Sequence, residues 1–421
     1  MNSRKYCLKY ISKKINEQIF MRVYYGKAVY GKEEIAATID VLKKKSISLI
    51  DGPSVKELEK KVSKVFGKKY GLMVNSGSSA NLLALSSFKF KKGSEIITPT
   101  LTFSTTVSPI YQVGCIPHFI DVEKFSFLAD INQIEKAINK KTVAIMLPNL
   151  LGNILDWKKI NSIAKKYKLK VIEDSADTIG YTYNKNNLGA YSDVVTNSMY
   201  ASHVITGAGF GGMVCFNDKN KYDRAKLLRG WGRSSAIFNE SEGLKHRFSE
   251  KVDGIPYDGK YIFSELGFNF LPSEISAAFA LEQLKKLKKN INIREKNFKR
   301  IFNFFKKLSK FFDLPVQDPK VKTGWLAYPV IIKKNSKIKR RDMQIYLEKK
   351  GIQTRTIFTG NILRQPIMKN NKFKKVKQCS VNSDNIMKNG ILIGCHQGLN
   401  DKEITYIFNS INSFLKKSKI I

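Results

Sequence analysis

The sequence predicts an α/β protein in which a mainly parallel sheet of about seven strands lies between helices and is followed by a smaller α+β domain. From residue 70 onward, short apolar runs alternate with helical stretches, a pattern typical of parallel strands joined by crossover helices. The predicted strands are residues 71–74, 95–98, 116–121, 143–148, 170–173, 194–197 and 212–216. A length of 421 residues is enough for two domains and a large core.

Helical spacing occurs on both sides of the predicted sheet. Residues 32–42 place Ile35, Ile39 and Leu42 on one face, which we expect to pack against the rest of the chain. A long helix is predicted over residues 273–296.

The smaller domain is indicated by a strand over residues 326–332 and by helices near residues 341–349 and 404–415. We therefore divide the chain into a basic N-terminal extension (1–22), a large domain (23–287) and a small C-terminal domain (288–421).

The charge of the chain is strongly basic, with 74 Lys and Arg against 35 Asp and Glu, or +39. By sign alone this permits nucleic acid, an anionic membrane or a phosphorylated substrate as a partner. The lysines are scattered through every segment, as a compositional bias would scatter them. We therefore expect neither nucleic acid nor a membrane as the main partner.

The cysteines indicate a reducing compartment, because they are odd in number and widely spaced, with no C-x-x-C pair. They are Cys7, Cys115, Cys215, Cys379 and Cys395. No His cluster has metal-ligand spacing, so no metal site is expected.

The first twenty residues lack a signal-peptide core, and no later run approaches eighteen uncharged apolar residues. The predicted location is the cytoplasm.

Residues 198–212 form the most distinctive stretch. Ser198 and His203 stand five positions apart in a segment that leads into a glycine-rich turn, where backbone can approach a ligand closely. A ligand site is one interpretation of this stretch, and a structural histidine beside an ordinary turn is the other.

A second candidate follows the first predicted strand, where Gly77, Ser78 and Ser79 open a helix. Free backbone N–H groups and hydroxyls at a helix N-terminus suit a phosphate group. The alternative is that a serine merely caps the helix.

A third candidate combines acids with an aromatic ring. Asp174 and Asp177 follow the fifth predicted strand, at the end where ligands of α/β proteins bind. A carboxylate there can keep a pyridinium nitrogen protonated, and Phe103 can stack on a flat ring. A solvated loop acid and a core aromatic are the corresponding structural interpretations.

Taken together, these residues resemble the sugar aminotransferase family of fold-type I pyridoxal-phosphate (PLP) enzymes, the DegT/DnrJ/EryC1/StrS family, from about residue 25 onward. In that family the residue five positions after the motif serine is a lysine that holds the cofactor as a Schiff base. Here it is His203, and no lysine occurs between Lys185 and Lys219. The resemblance therefore implies a PLP or pyridoxamine-phosphate (PMP) cofactor that is bound non-covalently.

Within the family, the histidine resembles that of the nucleotide-linked 4-keto-6-deoxyhexose 3-dehydratases of the CDP-ascarylose and colitose pathway type. Residues 228–233, 264–269, 351–355 and 360–366 also fit this branch. The resemblance implies removal of the C3 hydroxyl from the sugar, with His203 as the base and glutamate as an amino donor. Cysteines that hold an iron–sulfur cluster in one such enzyme correspond to residues within 173–177 and 231–237, where this chain has none, so no cluster is expected.

The resemblance also implies roles for the other candidates. The phosphate would lie on Gly77, Ser78, Ser79 and Ser198, the ring against Phe103, and the ring nitrogen at Asp174, with Asp177 near the ring hydroxyl. Asn269 would reach the phosphate from a second subunit, which implies a homodimer. Substrate phosphates would meet Arg229, Arg233 and Arg355.

Two other functions stay open. One is a nucleotide-sugar aminotransferase that keeps the C3 hydroxyl. The other is an inactive cofactor-binding homologue or a basic nucleic-acid binder, suggested by the net charge and by the turn at residues 207–212, which departs from the family pattern.

Overall fold

The computed structural model describes residues 21–44, 49–238 and 243–420. The predicted extension over residues 1–22 therefore lies outside the described residues, apart from Met21 and Arg22. Within the described residues, no helix combines the length and the apolar character needed to cross a membrane.

The strands, in chain order, are β1 (Tyr70–Val74), β2 (Glu95–Pro99), β3 (Ile116–Ile120), β4 (Thr142–Pro148), β5 (Lys170–Asp174), β6 (Thr182–Tyr183), β7 (Asn186–Asn187), β8 (Val194–Ser198), β9 (Gly212–Phe216), β10 (Glu250–Val252), β11 (Ile255–Tyr257), β12 (Phe312–Asp313), β13 (Val321–Lys322), β14 (Ala327–Ile332), β15 (Thr354–Arg355), β16 (Lys374–Lys375) and β17 (Gly390–Gly394).

The α-helices are α1 (Lys32–Lys43), α2 (Pro53–Val65), α3 (Gly77–Ser86), α4 (Ser104–Gln112), α5 (Ile134–Ala137), α6 (Trp157–Lys166), α7 (Lys219–Arg229), α8 (Leu244–Phe248), α9 (Glu274–Lys285), α10 (Leu287–Lys307), α11 (Arg340–Lys349), α12 (Val381–Asn389) and α13 (Asp401–Lys417).

The large sheet contains all seven predicted strands and confirms the predicted α/β class. Its strand order is β1-β9-β8-β5-β4-β2-β3-β16, in which β16 adds a short eighth strand beside β3. Strand β9 is antiparallel to both of its neighbours, whereas the other neighbouring pairs are parallel. The carboxyl ends of β1, β2, β4, β5 and β8 therefore meet at one edge of the sheet, where the start of β9 also lies.

Helices cover both faces of this sheet, so its strands are buried on both sides. Along β9, Met213 and Cys215 join the apolar cluster that contains Leu58 of α2, and Val214 and Phe216 join the cluster that contains Leu83 of α3. This alternation is what the two-residue repeat of a strand requires when both faces are packed.

A separate core forms around the antiparallel sheet β12-β14-β17-β15. There Phe298 of α10 and Ile407 of α13 pack with Tyr328 of β14. Val23 is part of the same core, and its backbone exchanges hydrogen bonds with Gly351 and Gln353. The described N-terminal end of the chain is therefore attached to the smaller core, a connection that the predicted division at residue 23 did not include.

Two local predictions were wrong. The face of α1 that was expected to pack is exposed, with Ile35, Ile39 and Leu42 at 50%, 44% and 51% of full accessibility, because the helix contacts α9 through its opposite side. The helix predicted over residues 273–296 is two helices, α9 and α10, which meet at Lys286.

Candidate functional site

A cavity of about 1040 Å³ opens at the carboxyl edge of the large sheet. Its walls come from the segments that follow β1, β2, β4, β5 and β8, together with residues 355–367. Eight of the candidates from the sequence line it: Gly77, Ser78, Phe103, Asp174, Asp177, Ser198, His203 and Arg355. Ligands of open α/β sheets bind at this edge.

The N-terminus of α3 forms one wall. Ser76 caps this helix, its hydroxyl accepting a hydrogen bond from the backbone N–H of Ser79 at 3.1 Å. A Cβ at Gly77 would lie only 2.5 Å from the Cβ of Ser198, so only glycine lets the helix start this close to the end of β8. The wall combines free backbone N–H groups with the hydroxyls of Ser76, Ser78 and Ser198.

Asp174 lies at the end of β5 on the inner side of the cavity. One carboxylate oxygen accepts hydrogen bonds from Asn81 Nδ2 (2.9 Å) and Thr106 Oγ1 (2.8 Å), and the other accepts from the backbone N–H of Ala176 (3.1 Å). Burial raises the pKa of Asp174, and these donors oppose the change. Thus a fixed carboxylate is directed towards a buried ligand surface, which suits a positively charged ring nitrogen.

His203 lies in the irregular segment between β8 and β9. Its Nδ1 is 3.2 Å from the carbonyl oxygen of Ser198. Because a carbonyl only accepts, this contact favours the tautomer with the proton on Nδ1 and the lone pair on Nε2, and the backbone of Ala176 is a second hydrogen-bond partner of the ring. Burial lowers the pKa of His203 to about 4, so the imidazole is neutral at neutral pH.

Asp177 faces this imidazole, with its Oδ1 3.9 Å from His203 Nε2. Its other oxygen accepts a hydrogen bond from the backbone N–H of Leu151 at 2.9 Å. Burial raises the pKa of Asp177 to about 7.

The outer part of the cavity is aromatic and basic. Phe103 is half exposed, and its ring meets Phe358 edge to face at 6.2 Å. The guanidinium of Arg355 lies over the ring of Tyr25 at 5.7 Å. This region offers a flat apolar surface and a cation beside the buried polar groups.

Four predicted residues do not line the cavity. The hydroxyl of Ser79 instead accepts a hydrogen bond from Ser76 (3.0 Å), because the serine at the N-cap position is Ser76. Asn269 forms a backbone bridge with Gly230. Arg233 lies over the ring of Trp231 at 4.4 Å.

Arg229 lies outside the cavity, contrary to the expected contact with a substrate phosphate. Its side chain is buried and pairs with Asp51 at 2.6 Å and with Glu59 at 3.0 Å, and it also donates to the backbone of Met73. Its positive charge is thus compensated inside the protein, which leaves it unable to meet a substrate phosphate in this cavity.

Three contributors were missed from the sequence, namely Ser76, Asn81 and Thr106. Asn81 was the easiest to recognise, because it is a buried amide in an otherwise apolar helical segment. Buried polar groups need partners, so its presence indicates an acceptor nearby.

The residues fit a phosphorylated pyridine cofactor. The donor-rich start of α3 suits its phosphate, Phe103 offers a stacking surface, and Asp174 is a buried acceptor for its nitrogen. Within the described residues, no group of three or more His, Cys, Asp or Glu side chains is arranged to hold a metal ion.

Comparison with known proteins identifies the family. Residues 29–412 match the DegT/DnrJ/EryC1/StrS aminotransferase family. The chain is 33% identical to the GDP-4-keto-6-deoxy-D-mannose 3-dehydratase of Escherichia coli O55:H7 over 386 residues, which are 89% of this chain and 95% of that protein. It is also 33% identical to the lipopolysaccharide biosynthesis protein RfbH of Salmonella typhimurium, covering 85% of this chain and 84% of that protein.

Solved structures give the same relationship. The E. coli GDP-4-keto-6-deoxy-D-mannose-3-dehydratase with bound hydrated PLP is 31% identical, with a TM-score of 0.82 over 93% of this chain and all of that one. The chain belongs to the DegT/DnrJ/EryC1/StrS aminotransferase family.

Proposed function

We propose that this protein removes the C3 hydroxyl from a nucleotide-linked 4-keto-6-deoxyhexose, using non-covalently bound PMP, in the biosynthesis of deoxysugars for lipopolysaccharide. The observation that carries this proposal is His203. A buried imidazole whose Nε2 lies on the side of Asp177 lines the cavity, at the position where family members carry the lysine that holds PLP. Relatives with 33% identity are 3-dehydratases, which supports the same assignment.

The cofactor would be held by groups on the inner walls of the cavity. The N-terminus of α3 and the hydroxyls of Ser76, Ser78 and Ser198 would bind the phosphate, Phe103 would cover the ring, and Asp174 would pair with the ring nitrogen. The chemistry that bound PMP supplies is an amine for the C4 ketone of the sugar and a ring that withdraws electrons.

His203 would move the proton in this reaction. Its Nε2 accepts a proton while Nδ1–H stays bonded to the carbonyl of Ser198, so the ring need not rotate. The same Nε2 can then return the proton to the departing C3 hydroxyl as water. Asp177 lies 3.9 Å away and, with a pKa of about 7, is partly ionised at neutral pH; its ionised form stabilises the imidazolium that exists between these two steps.

The substrate and the amino donor follow from the relatives. Several are named for GDP-4-keto-6-deoxy-D-mannose, which makes the GDP-linked sugar the first candidate substrate. One solved relative holds a trapped PLP-glutamate geminal diamine, which favours glutamate as the donor that regenerates PMP. Arg355 and Thr356 at the mouth of the cavity are candidates for contact with the nucleotide-linked part of the substrate.

We further propose a homodimer. Leu266 is 99% exposed, Tyr261 and Phe263 near it are more than half exposed, and α1 presents its apolar side to solvent. A second copy covering these surfaces would remove apolar area from water and could bring Asn269 to the partner's cavity. We place this dimer in the cytoplasm, because the four described cysteines are free and buried.

The experiment that tests the function is product analysis by mass spectrometry. Purified protein, PMP and glutamate are mixed with a panel of nucleotide-linked 4-keto-6-deoxyhexoses that includes the GDP-mannose derivative. Loss of the C3 oxygen without gain of nitrogen is the expected result. An amine that keeps its C3 hydroxyl would make the protein an aminotransferase, and no change across the panel would favour an inactive homologue.

A further inference from the structure

The segment that carries His203 has no regular secondary structure, yet several of its backbone groups are held by hydrogen bonds. The N–H of His203 donates to the carbonyl of Tyr200 at 3.0 Å, and Nδ1 donates to the carbonyl of Ser198. These two bonds lie on the β8 side of the segment. Its other side is held mainly by an arginine from the helix that leads into the smaller core.

That arginine is Arg294 of α10, whose side chain is completely buried. All five of its N–H groups donate to oxygen atoms that carry no formal charge. The acceptors are Gln397 Oε1 (2.6 Å) for Nε, the carbonyls of Trp325 (3.2 Å) and Leu326 (3.1 Å) for Nη1, and the carbonyls of Ser202 (3.5 Å) and His203 (3.3 Å) for Nη2.

Gln397 completes this arrangement. It accepts from Arg294, and its Nε2 lies 3.5 Å from the carbonyl of Val204. The carbonyls of three consecutive residues, 202 to 204, thus point to two side chains that belong to α10 and to the turn after β17.

Burying a guanidinium is costly, and a purely structural contact between helix and strand could be made by apolar side chains instead. The planar fork is suited to holding several carbonyls in one geometry, which an ammonium group cannot reproduce. The Arg294 charge also helps to lower the pKa of His203, and it opposes the rise in the pKa of Asp177.

We infer that Arg294 is the positioning residue of the base: it holds the 202–204 backbone so that Nε2 of His203 faces Asp177 and the cavity, and it ties that geometry to the packing of the smaller core. Arg294 acts through His203 and does not line the cavity. The catalytic part of this inference rests on the proposed function, whereas the geometric part does not.

The test compares Arg294→Lys, which keeps the charge but loses the fork, with Arg294→Met, which loses both. Arg300→Lys is the matched control, because Arg300 lies on the same helix and pairs with Asp401 outside the cavity. The first measurement is ¹⁵N NMR of histidine-labelled protein without cofactor or substrate. The chain has four histidines, and the signal of His203 is assigned as the one missing from His203→Asn.

In wild type and Arg300→Lys we expect one neutral tautomer, protonated at Nδ1. In both Arg294 variants we expect averaging between the two neutral tautomers of His203, and a pKa of His203 closer to the ordinary value for histidine. In steady-state kinetics, kcat should fall about 100-fold while KM changes by less than about threefold, because the base is displaced and the binding groups are not. Gln397→Met should change the NMR signal of His203 in the same direction but by a smaller amount. This variant replaces the Arg294 variants in the test if they do not fold.

Retention of the wild-type tautomer and titration in Arg294→Lys and Arg294→Met, with only a lower melting temperature, would make Arg294 a structural residue and overturn the inference. If Arg294→Lys kept the wild-type tautomer and titration of His203 while Arg294→Met lost them, the positive charge of residue 294 would matter and its hydrogen-bond geometry would not. That result would also contradict the inference. An NMR change in a protein that dehydrates no sugar would instead refute the proposed function and leave the positioning role standing.

Discussion

The Nε2 atom of His203 lies 3.9 Å from Oδ1 of Asp177, and both residues line the cavity. Burial moves their pKa values in opposite directions, to about 4 for His203 and about 7 for Asp177. The imidazole is therefore neutral at neutral pH, as a base must be, and a carboxyl group stands where positive charge would develop.

The buried imidazole should make stability depend on pH. The unfolded chain takes up a proton at His203 near pH 6.5, whereas the folded protein resists it until about pH 4. The unfolded state thus binds more protons between these values, and the stability contributed here is lost as the pH falls from about 6.5 to about 4. His203→Asn should lose less unfolding free energy over this interval than wild type, by up to about 3 kcal/mol. Chemical denaturation of the cofactor-free proteins measures the difference, and identical pH profiles would contradict it.

Asp177 should contribute a pH dependence of stability opposite in sign to that of His203, and Asp177→Asn should remove it. The folded-state pKa of Asp177 is raised from 3.8 to about 7, so its contribution is present below pH 3.8 and is lost as the pH rises through 7. The variant should therefore lose less stability than wild type between pH 4 and 7.5. A variant that instead loses more over this range would show that the carboxyl group is ionised in the folded protein.

Replacing the buried carboxylate should weaken binding of PMP. In Asp174→Asn, a neutral amide cannot stabilise a pyridinium proton, and we expect the affinity to fall about tenfold to 100-fold. Fluorescence titration with PMP measures this loss. Asp156→Asn is the control, because Asp156 caps α6 and does not line the cavity. Equal affinities for Asp174→Asn and wild type would remove Asp174 from the site.

His203→Lys should attach PLP covalently. A lysine at position 203 would place its amine in the cavity beside Asp177. Family members hold the cofactor through a lysine at this position. Borohydride reduction followed by mass spectrometry of the intact chain should show one bound cofactor in the variant and none in wild type. If the variant stays unmodified, the cofactor ring does not lie beside residue 203.

Mixed dimers test whether Asn269 acts in the partner's cavity. His203→Asn and Asn269→Ala should each be inactive as homodimers, whereas a mixed dimer has one site with both residues intact. Co-refolding equal amounts should restore about a quarter of the wild-type activity. Purified single variants, taken through the same procedure, are the controls. No recovery would indicate that Asn269 serves its own subunit or no site.

Which inner residues lie close together could be predicted from the sequence, because strand ends are local features. Asp174 and Ser198 each directly follow a predicted strand, and His203 comes five residues after Ser198, so their proximity follows from a parallel sheet. The error at Ser79 arose because the N-cap of α3 depends on backbone geometry, which favours Ser76 among adjacent serines.

Residues that depend on distant partners could not be predicted in this way. Arg229 is neutralised by Asp51 and Glu59, which lie 178 and 170 residues earlier in the chain. Arg294 lies in a Lys-rich helix, where nothing in the local pattern distinguishes it from exposed cations. The apolar face of α1 was correctly recognised as apolar, but helical spacing does not tell whether the covering surface belongs to the same chain.

The most direct test of the role of His203 is a side-by-side mass measurement of the sugar product from wild type and His203→Asn, each loaded with PMP and given the substrate that the panel identifies. His118→Asn is the control, because His118 pairs with Glu95 away from the cavity. We predict that wild type and His118→Asn yield a sugar that has lost its C3 oxygen and gained no nitrogen, and that His203→Asn binds PMP but yields none. A product from wild type that keeps its C3 hydroxyl, or normal dehydration by His203→Asn, would contradict the central role of His203.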